Sequence, residues 1–315
     1  MKILITPRSF ASFSDKPLKM LTERDYKIER NNTGRPYKKE EMLKLIKDVD
    51  GIIIGIDELS AKIIEEANEL KVISKYGIGL DNIDINMATN KKIIVTNTPT
   101  ANVDAVADLA FGLVLSLARR IPEADKKTKS GKWEKIIGKS VWEKTVGIIG
   151  LGKIGKQVVK RAQGFEMNIL AFDIVKDKKF AQKYGIKYVN LEKLLQKSDY
   201  ISIHIPLNDA TRNMVSYEEL EKMKKDAFLI NTSRGGIVDE EALYNALRNN
   251  KLRGAALDVY NNEPIRESPL KELDNVIMTP HIGAYTEEAI ENMSIQAAQN
   301  LIDVLEGRET QNRVN

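Results

Sequence analysis

An arginine, a glutamate and a histidine each stand just after a strand-like segment in the C-terminal half of the chain. Arg234 follows FLINTS, Glu263 follows AALDVYNN and His281 follows NVIMTP. The carboxyl ends of parallel strands meet at one edge of a sheet, where ligands bind, so we expect these side chains to converge. A guanidinium, a carboxylate and an imidazole beside a nicotinamide would form a hydride-transfer site for a carboxylate-bearing substrate.

Two of these residue types suit defined parts of such a reaction. Oxidation of a 2-hydroxy acid needs a base for the hydroxyl proton, and the reverse reaction needs the same group as an acid. An imidazole serves both directions because its ordinary pKa is close to neutral, and His281 and His204 are the only histidines. Arg234 could bind a substrate carboxylate through two parallel hydrogen bonds. An acid–base role therefore falls to His204 or His281, with His281 as the candidate, and Arg234 is the candidate for carboxylate binding.

The segment TVGIIGLGKIGKQVVKRA at 145–162 predicts a dinucleotide site. Its glycines form G-x-G-x-x-G between an apolar strand and a helix, which permits a tight turn, approach of a pyrophosphate and close helix–strand packing. The free N–H groups of the helix N-terminus would face the phosphates. The predicted phosphate-binding turn consists of Gly150, Gly152, Lys153, Ile154 and Gly155.

The next predicted strand, NILAFD, ends in Asp173, about twenty residues beyond the glycines. A carboxylate at this place can bind the ribose hydroxyls and would repel a 2′-phosphate. The following Ile174 and Val175 supply no compensating arginine, and Lys176 has the character of a surface lysine. The sequence therefore favours NAD over NADP as the cofactor.

Length and composition narrow the class of protein. A chain of 315 residues is long for a single core and favours two domains. There is no apolar run long enough to span a bilayer, and the net charge of +4 from 49 basic and 45 acidic side chains is too mild for a nucleic-acid footprint. The absence of cysteine excludes thiolate metal sites and fits a cytoplasmic protein. We expect a small anionic substrate, no metal, no nucleic acid and no membrane.

Short apolar strands alternate with amphipathic helices along nearly the whole chain, which predicts an α/β fold. We expect two doubly wound, Rossmann-like domains with parallel sheets and a cleft between them. The first would comprise residues 1–99 and 285–315, and the NAD-binding domain residues 100–284. The broad apolar face of the helix expected at 102–120 could pack within its domain or form a dimer interface. Helices are expected at 38–49, 60–68, 102–120 and 284–307.

Seven segments, taken together, resemble the D-isomer-specific 2-hydroxyacid dehydrogenase family over nearly the whole chain. They occur in the family's order and spacing, and the sequence is most similar to the phosphoglycerate dehydrogenase and glyoxylate/hydroxypyruvate reductase branches. The segments are YGIGLDNID, VTNTP, GIIGLGKIG, ISIHIPL, INTSRGGIVDE, LDVYNNEP and TPHIGA.

This resemblance implies roles for residues that composition and spacing leave undecided. It implies that Glu263 accepts a hydrogen bond from the far imidazole nitrogen of His281 and so fixes the ring. The implied neighbours of the cofactor are His204, Ile205, Thr232, Ser233, Asp258 and Gly283. The implied substrate-binding residues are Lys75, Tyr76, Gly77, Ile78 and Gly79, together with Arg234.

The resemblance leaves the substrate open. Phosphoglycerate dehydrogenases usually hold the substrate phosphate with arginines, but Gly55 and Lys75 stand at two of those positions. D-3-phosphoglycerate is the first candidate substrate, and glyoxylate or hydroxypyruvate is the alternative. A different class, the NAD-sensing corepressors that share this fold, is disfavoured because all three catalytic residues are present. We also expect a homodimer, for which the apolar face of the 102–120 helix is a candidate interface.

Overall fold

The structure is a computed structural model that describes all of residues 1–315, and the chain folds into two compact units. Unit 1 contains Met1–Asn102 and Ala284–Asn315, and unit 2 contains Val103–Gly283. Each unit is a parallel sheet with helices on both faces, which confirms the predicted fold class. No helix combines the length and the apolar character needed to cross a lipid bilayer.

The regular elements alternate as the sequence pattern indicates. The strands are β1 (Lys2–Ile5), β2 (Lys27–Arg30), β3 (Gly51–Ile54), β4 (Val72–Lys75), β5 (Ile94–Thr96), β6 (Thr145–Ile149), β7 (Asn168–Phe172), β8 (Lys187–Tyr188), β9 (Tyr200–Ile203), β10 (Phe228–Asn231), β11 (Gly254–Leu257) and β12 (Val276–Met278). The helices are α1 (Lys16–Thr22), α2 (Lys39–Leu45), α3 (Ala61–Glu65), α4 (Ile85–Asn90), α5 (Val103–Arg119), α6 (Ile121–Lys129), α7 (Lys153–Gln163), α8 (Lys178–Lys183), α9 (Leu191–Lys197), α10 (Tyr217–Lys222), α11 (Glu240–Arg248) and α12 (Glu287–Leu305).

The sheet of unit 1 has the order β2-β1-β3-β4-β5 and is buried on both faces. Because successive side chains of a strand point to opposite faces, Leu4 and Ile52 pack on one side while Ile3 and Ile53 pack on the other. This explains why β1 and β3 are continuous apolar runs rather than alternating ones. Helix α12 covers the second face, with Leu301 fully buried.

The sheet of unit 2 has the order β12-β11-β10-β9-β6-β7-β8. Helices α5 and α7 cover one face, and α9, α10 and α11 cover the other. Strand β6 lies in the interior, so the turn that follows it opens where the strand order changes direction. The candidate active site lies at this edge of the sheet.

Several predicted helices are shorter than the periodicity indicated, for local reasons. The helix expected at 38–49 ends as α-helix at Leu45 and continues as a 3-10 turn. The helix expected at 102–120 ends at Arg119, because Arg120 adopts a left-handed conformation with φ of 52°. The helix expected at 284–307 begins only at Glu287, where the Thr286 hydroxyl accepts from the Ala289 N–H at 3.1 Å.

Replacing Leu301 by alanine tests the role of α12 in unit 1. The side chain is fully buried, and its Cδ1 would lie 3.1 Å from a Cβ placed on Gly51 of β3. We expect Leu301→Ala to lower the free energy of unfolding by about 2–5 kcal/mol in urea titrations followed by circular dichroism. Gln299→Ala, at an exposed position of the same helix, is the control, and equal effects of the two variants would contradict this packing.

Candidate active site

The glycine-rich turn of unit 2 follows β6, which lies between β9 and β7 at the point where the strand order switches. Gly150 has φ of +94°, and a Cβ there would approach the His204 carbonyl oxygen to 2.5 Å. A Cβ on Gly155 would lie 2.1 Å from the Gly150 oxygen, whereas one on Gly152 would meet nothing within 4 Å. Two glycines are thus required by packing, while the third leaves open space at the start of α7, where a phosphate can approach the backbone.

Asp173 directly follows β7 and is tied to the glycine turn. Its Oδ2 accepts from the Leu151 N–H at 2.6 Å and its Oδ1 from the Val175 N–H at 2.8 Å. These bonds fix a carboxylate beside the phosphate-binding turn, where it would face a ribose rather than a 2′-phosphate. Ile174 is 94% exposed, and Lys176 lies with its Nζ 5.9 Å from the Tyr188 ring centroid. The residues present therefore fit NAD.

Two buried polar atoms lie just beyond the ends of the neighbouring strands β9 and β10 without a partner in the protein. They are His204 Nδ1 and Thr232 Oγ1. The other ring nitrogen of His204, Nε2, is hydrogen-bonded to Ser202 Oγ at 2.8 Å, and burial lowers the pKa of His204 to about 3. Buried polar groups are seldom left unpaired unless a ligand or water completes them. A neutral imidazole and a hydroxyl thus remain available to a cofactor at this edge.

The remaining predicted cofactor neighbours in this region have more local contacts. The side chain of Ile205 packs against the glycine turn, with its Cγ2 2.7 Å from the place of a Gly150 Cβ. Ser233 Oγ donates to Asn231 Oδ1 at 2.8 Å, which shapes the turn after β10. Lys153 and Ile154 form the first turn of α7. Their direct contacts with a dinucleotide stay predictions.

His281 and Glu263, predicted to act together, are in direct contact. His281 Nδ1 lies 2.6 Å from Glu263 Oε2, and Glu263 Oε1 accepts from the Tyr260 N–H at 3.0 Å. Burial raises the pKa of Glu263, but the hydrogen bond and charge of His281, the Tyr260 N–H and the charge of Arg234 together hold it below its ordinary value. An ionised Glu263 fixes a proton on Nδ1, so Nε2 is the imidazole atom that can exchange a proton with a substrate.

A buried carboxylate holds the segment that carries His281. Asp258 is 1% exposed and accepts three hydrogen bonds, from the Thr279 hydroxyl at 2.6 Å and from the Ile282 and Gly283 N–H groups at 2.8 Å each. These bonds hold a turn in which His281 has φ of 54°, a conformation that is uncommon for residues other than glycine. Asp258 and Gly283 thus have a visible bracing role, and their contact with a nicotinamide stays a prediction.

Arg234 is placed close to the same pair of residues. The Asn231 side chain donates to the Arg234 carbonyl at 2.9 Å, and Arg234 Nη1 donates to the Ser233 carbonyl at 2.7 Å. The adjacent Gly235 packs so tightly that a Cβ would lie 2.0 Å from the Tyr260 oxygen. This contact brings the Arg234 turn against the segment that leads to Glu263. The three residues predicted to be catalytic are therefore assembled within unit 2.

In unit 1, the predicted substrate loop begins at the end of β4. Lys75 is 7% exposed, and its Nζ donates to the Gly55 carbonyl at 2.5 Å and to Asn82 Oδ1 at 2.7 Å. Gly77 has φ of +129°, and its N–H donates to the Thr98 hydroxyl at 2.9 Å. Lys75 is thus directed into the unit rather than towards solvent. If this loop binds a substrate carboxylate, the backbone N–H groups after Gly77 would donate the hydrogen bonds.

The loop is anchored by its aromatic residue. The Tyr76 hydroxyl donates to the Ile290 carbonyl of α12 at 3.2 Å, and the Asn97 side chain donates to the Ile78 carbonyl at 3.0 Å. These contacts leave the N–H groups of Ile78 and Gly79 for a ligand. That residues 75–79 bind a substrate remains a prediction.

Sequence reasoning missed the residues that brace the site. Ser202, Asn231 and Tyr260 position His204, Arg234 and Glu263, respectively. Ser202 and Asn231 are polar residues within otherwise apolar, fully buried strands. A buried polar residue near the carboxyl end of such a strand is the signal that could have identified two of them.

Comparisons with known proteins agree with this geometry. Residues 111–283 match the profile of the D-isomer specific 2-hydroxyacid dehydrogenase family, NAD binding domain. The chain is 39% identical over 301 residues to a glyoxylate reductase of Korarchaeum cryptofilum, covering 93% of this chain and 91% of that protein. A crystal structure of the TT0316 protein from Thermus thermophilus superposes with a TM-score of 0.92 at 36% identity, covering 100% of both chains.

A second group of relatives is longer than this chain. The chain is 44% identical over 281 residues to a D-3-phosphoglycerate dehydrogenase of Methanocaldococcus jannaschii, which covers 88% of this chain but 54% of that protein. The chain therefore spans about half the length of that relative. The predicted family and the predicted NAD cofactor are confirmed by these similarities.

Alanine substitutions in the phosphate-binding turn distinguish a glycine that is needed for approach of the pyrophosphate from one that is needed for packing. The added Cβ of Gly152→Ala would have no atom within 4 Å, so we expect the melting temperature of this variant to differ from that of the unsubstituted protein by less than about 2 °C. Its dissociation constant for NADH, measured by fluorescence titration, should rise at least about tenfold because a methyl group obstructs the pyrophosphate.

Gly155→Ala is expected to lower both NADH affinity and the melting temperature, because its Cβ would overlap the Gly150 oxygen. Gly112→Ala, in open space on α5, is the matched control; it should leave NADH affinity unchanged and should not lower the melting temperature, because alanine is the better helix former. Normal NADH binding by Gly152→Ala would contradict the assignment of this turn.

Replacing Asp173 by asparagine tests cofactor choice. Loss of the charge removes repulsion of a 2′-phosphate, while the amide oxygen retains one acceptor for the backbone N–H groups. We expect the ratio of kcat/KM for NADH over NADPH to fall by at least about tenfold, or about 1.4 kcal/mol. Asp209→Asn removes the same charge from an exposed position of unit 2 and should leave the ratio unchanged. An unaltered ratio in Asp173→Asn would refute the role of this carboxylate.

Proposed function

The chain belongs to the D-isomer-specific 2-hydroxyacid dehydrogenase family, NAD-dependent oxidoreductases that act on the CH–OH group of 2-hydroxy acids, and we propose that it interconverts a D-2-hydroxy acid and its 2-oxo acid. The observation that carries the proposal is the 2.6 Å contact of His281 with Glu263, in a turn braced from beneath by Asp258. This arrangement presents one imidazole nitrogen for proton exchange within the unit that binds the dinucleotide.

The chemistry divides between the cofactor and the side chains. Gly150, Gly152, Gly155 and Asp173 would hold NAD, which when bound would supply the hydride acceptor for oxidation of the 2-hydroxy acid and, as NADH, the hydride donor for the reverse reaction. His281 Nε2 takes the hydroxyl proton as the C=O bond forms, and gives it back to the alkoxide oxygen in reduction. The carboxylate of Glu263 stabilises the imidazolium that results. Arg234 would bind the substrate carboxylate and polarise the 2-oxo group.

D-3-phosphoglycerate is the first candidate substrate, supported by the similarity to the longer archaeal enzyme of that name. The second candidate is a small 2-oxo acid such as glyoxylate or hydroxypyruvate. It is supported by the similarity over nearly full length to a glyoxylate reductase and by the inward direction of Lys75. In both cases Arg234 would bind the substrate carboxylate.

A homodimer is also proposed, on the basis of exposed apolar surface in unit 2. Helix α6 has no buried residue, and the segment after it carries Trp133 and Ile137, which are 91% and 84% exposed. Large apolar side chains that are exposed to this degree support an interface in this segment. A second copy of the chain is the partner expected to cover them.

Substitution of the three catalytic residues tests the reaction. We expect His281→Ala, Glu263→Gln and Arg234→Ala each to lower kcat/KM for NADH oxidation by about 10²- to 10⁴-fold, in a panel of glyoxylate, hydroxypyruvate, pyruvate and phosphohydroxypyruvate. NADH affinity should change by less than about threefold, because none of these side chains forms the phosphate-binding turn.

Glu267→Gln, which removes a charge from an exposed position near Glu263, serves as the control and should retain full turnover. Near-normal rates in all three catalytic variants would refute the mechanism. Absence of any turnover by the unsubstituted protein on the whole panel would refute the proposed function itself.

A further inference from the structure

Unit 1 contains a polar cleft of about 570 Å³ beside helix α12, a volume within the range of small-molecule sites. Residues 100–101 and the segment 309–312 form its other walls, so every lining residue belongs to unit 1. The side chains from α12 recur every three or four residues and therefore form one stripe of the helix. They are Asn292, Ile295, Gln296, Gln299, Asn300 and Asp303.

The walls of the cleft are joined by a buried amide. Asn300 is 2% exposed, and its Nδ2 donates to the Asn97 carbonyl at 2.8 Å. Its Oδ1 accepts from the Asn312 side chain at 2.9 Å and from the Thr310 hydroxyl at 3.1 Å. The Asn97 N–H, just after β5, donates in turn to the Asn312 carbonyl at 3.2 Å. Helix, strand end and C-terminal segment are thus held together, and the cleft between them is preformed.

Two polar groups in the cleft lack half of their hydrogen bonds. Gln296 Oε1 is buried and has no donor in the protein. Gln296 Nε2 donates to Thr100 Oγ1 at 3.4 Å, so the Thr100 hydroxyl is an acceptor here and its own O–H donates to no protein atom. Buried polar groups are rarely left incomplete. A ligand group that can donate and accept at once would complete both residues.

The charges of the cleft narrow the class of ligand. The lining contains the carboxylates of Asp303 and Glu309 and no lysine, arginine or histidine, which disfavours anions. Asp303 is already paired with Arg308 at 2.7 Å, so it does not require a cation from the ligand. Ala101 and Ile295 are the only apolar lining residues, so an apolar ligand would bury little surface of its own kind. A hydroxyl is neutral and both donates and accepts.

We propose that this cleft binds a small uncharged polyhydroxylated molecule, a sugar or a polyol. One ligand hydroxyl donates to Gln296 Oε1 and accepts from the Thr100 O–H. Further hydroxyls donate to the amide oxygens of Gln299 and Asn312, which accept no hydrogen bond from the protein. The site does not depend on the proposed function, because none of its residues was assigned to hydride transfer or to the dinucleotide.

Two pairs of probes test the class of ligand by saturation-transfer difference NMR. Glucose and glucosamine form a ring pair, sorbitol and gluconate an open-chain pair, and the second member of each pair replaces a neutral group by a charged one. We expect at least one neutral member to bind with a dissociation constant of about 1 mM or below. Its charged counterpart should bind at least about tenfold more weakly, because an ammonium cannot accept and a carboxylate cannot donate.

Substitutions at the two incomplete groups test the location. Thr100→Val replaces the hydroxyl by a methyl group at an exposed position, so it should preserve the fold and weaken binding of the neutral probe at least about tenfold. Thr100→Ser keeps the hydroxyl and should stay within about threefold of the unsubstituted protein. Gln296→Met should also weaken binding, whereas Gln196→Met, the same change at an exposed position of unit 2, is the control and should not.

The binding results decide the proposal without any measurement of NADH oxidation, so they are independent of the proposed function. Failure of all four probes to bind below about 10 mM would show that solvent alone completes Gln296 and Thr100, and would overturn the proposal. Equal affinities of Thr100→Val and Thr100→Ser for the neutral probe would overturn it as well. Binding of a charged member as tightly as its neutral counterpart would contradict the assigned ligand class.

Discussion

The buried carboxylate of Asp258 is the constraint on which the site of unit 2 depends. It links the end of β11 to the turn after β12 through three hydrogen bonds and holds His281 in a left-handed conformation. A charged group so deeply buried is stable only when its oxygens are fully engaged. Because both Glu263 and His281 lie on segments that begin or end near Asp258, the 2.6 Å contact between them is set by the backbone rather than by two flexible side chains.

The two units use the same topological device for different purposes. In each unit the first strand of the sheet has its sequence successor on one side and a later strand on the other, and a glycine lies at the resulting gap. At Gly150 the backbone remains open and the helix N-terminus supplies N–H groups for an anion. At Gly55 the neighbouring Pro7 lies against the gap, with its Cγ 3.3 Å from the place of a Gly55 Cβ. The same arrangement of strands thus leaves the backbone open to an anion in unit 2 and is closed by a proline ring in unit 1.

The sequence predicted what short-range patterns encode. The parallel α/β class, the phosphate-binding glycines and the convergence of Arg234, Glu263 and His281 in one unit all follow from residue spacing and from apolar strand runs. The bracing by Asp258 could not be predicted, because it depends on which strands are adjacent in the sheet. Helix ends were predicted less well for a related reason, since they are decided by single residues such as Arg120 that adopt unusual backbone conformations.

Helix α12 makes unit 1 discontinuous in sequence, since Ala297 and Leu301 complete a face whose other members come from β1, the loop after it, α1, β3 and β4. During translation this helix is synthesised only after the whole of unit 2, which is continuous from Val103 to Gly283. Until this helix is made, the second apolar face of the N-terminal sheet is covered only in part, by α1 and Phe10, although domains generally fold in order from the N-terminus during translation. Nascent chains that stall before residue 297 would expose that face to chaperones, although every strand of the sheet has already been made.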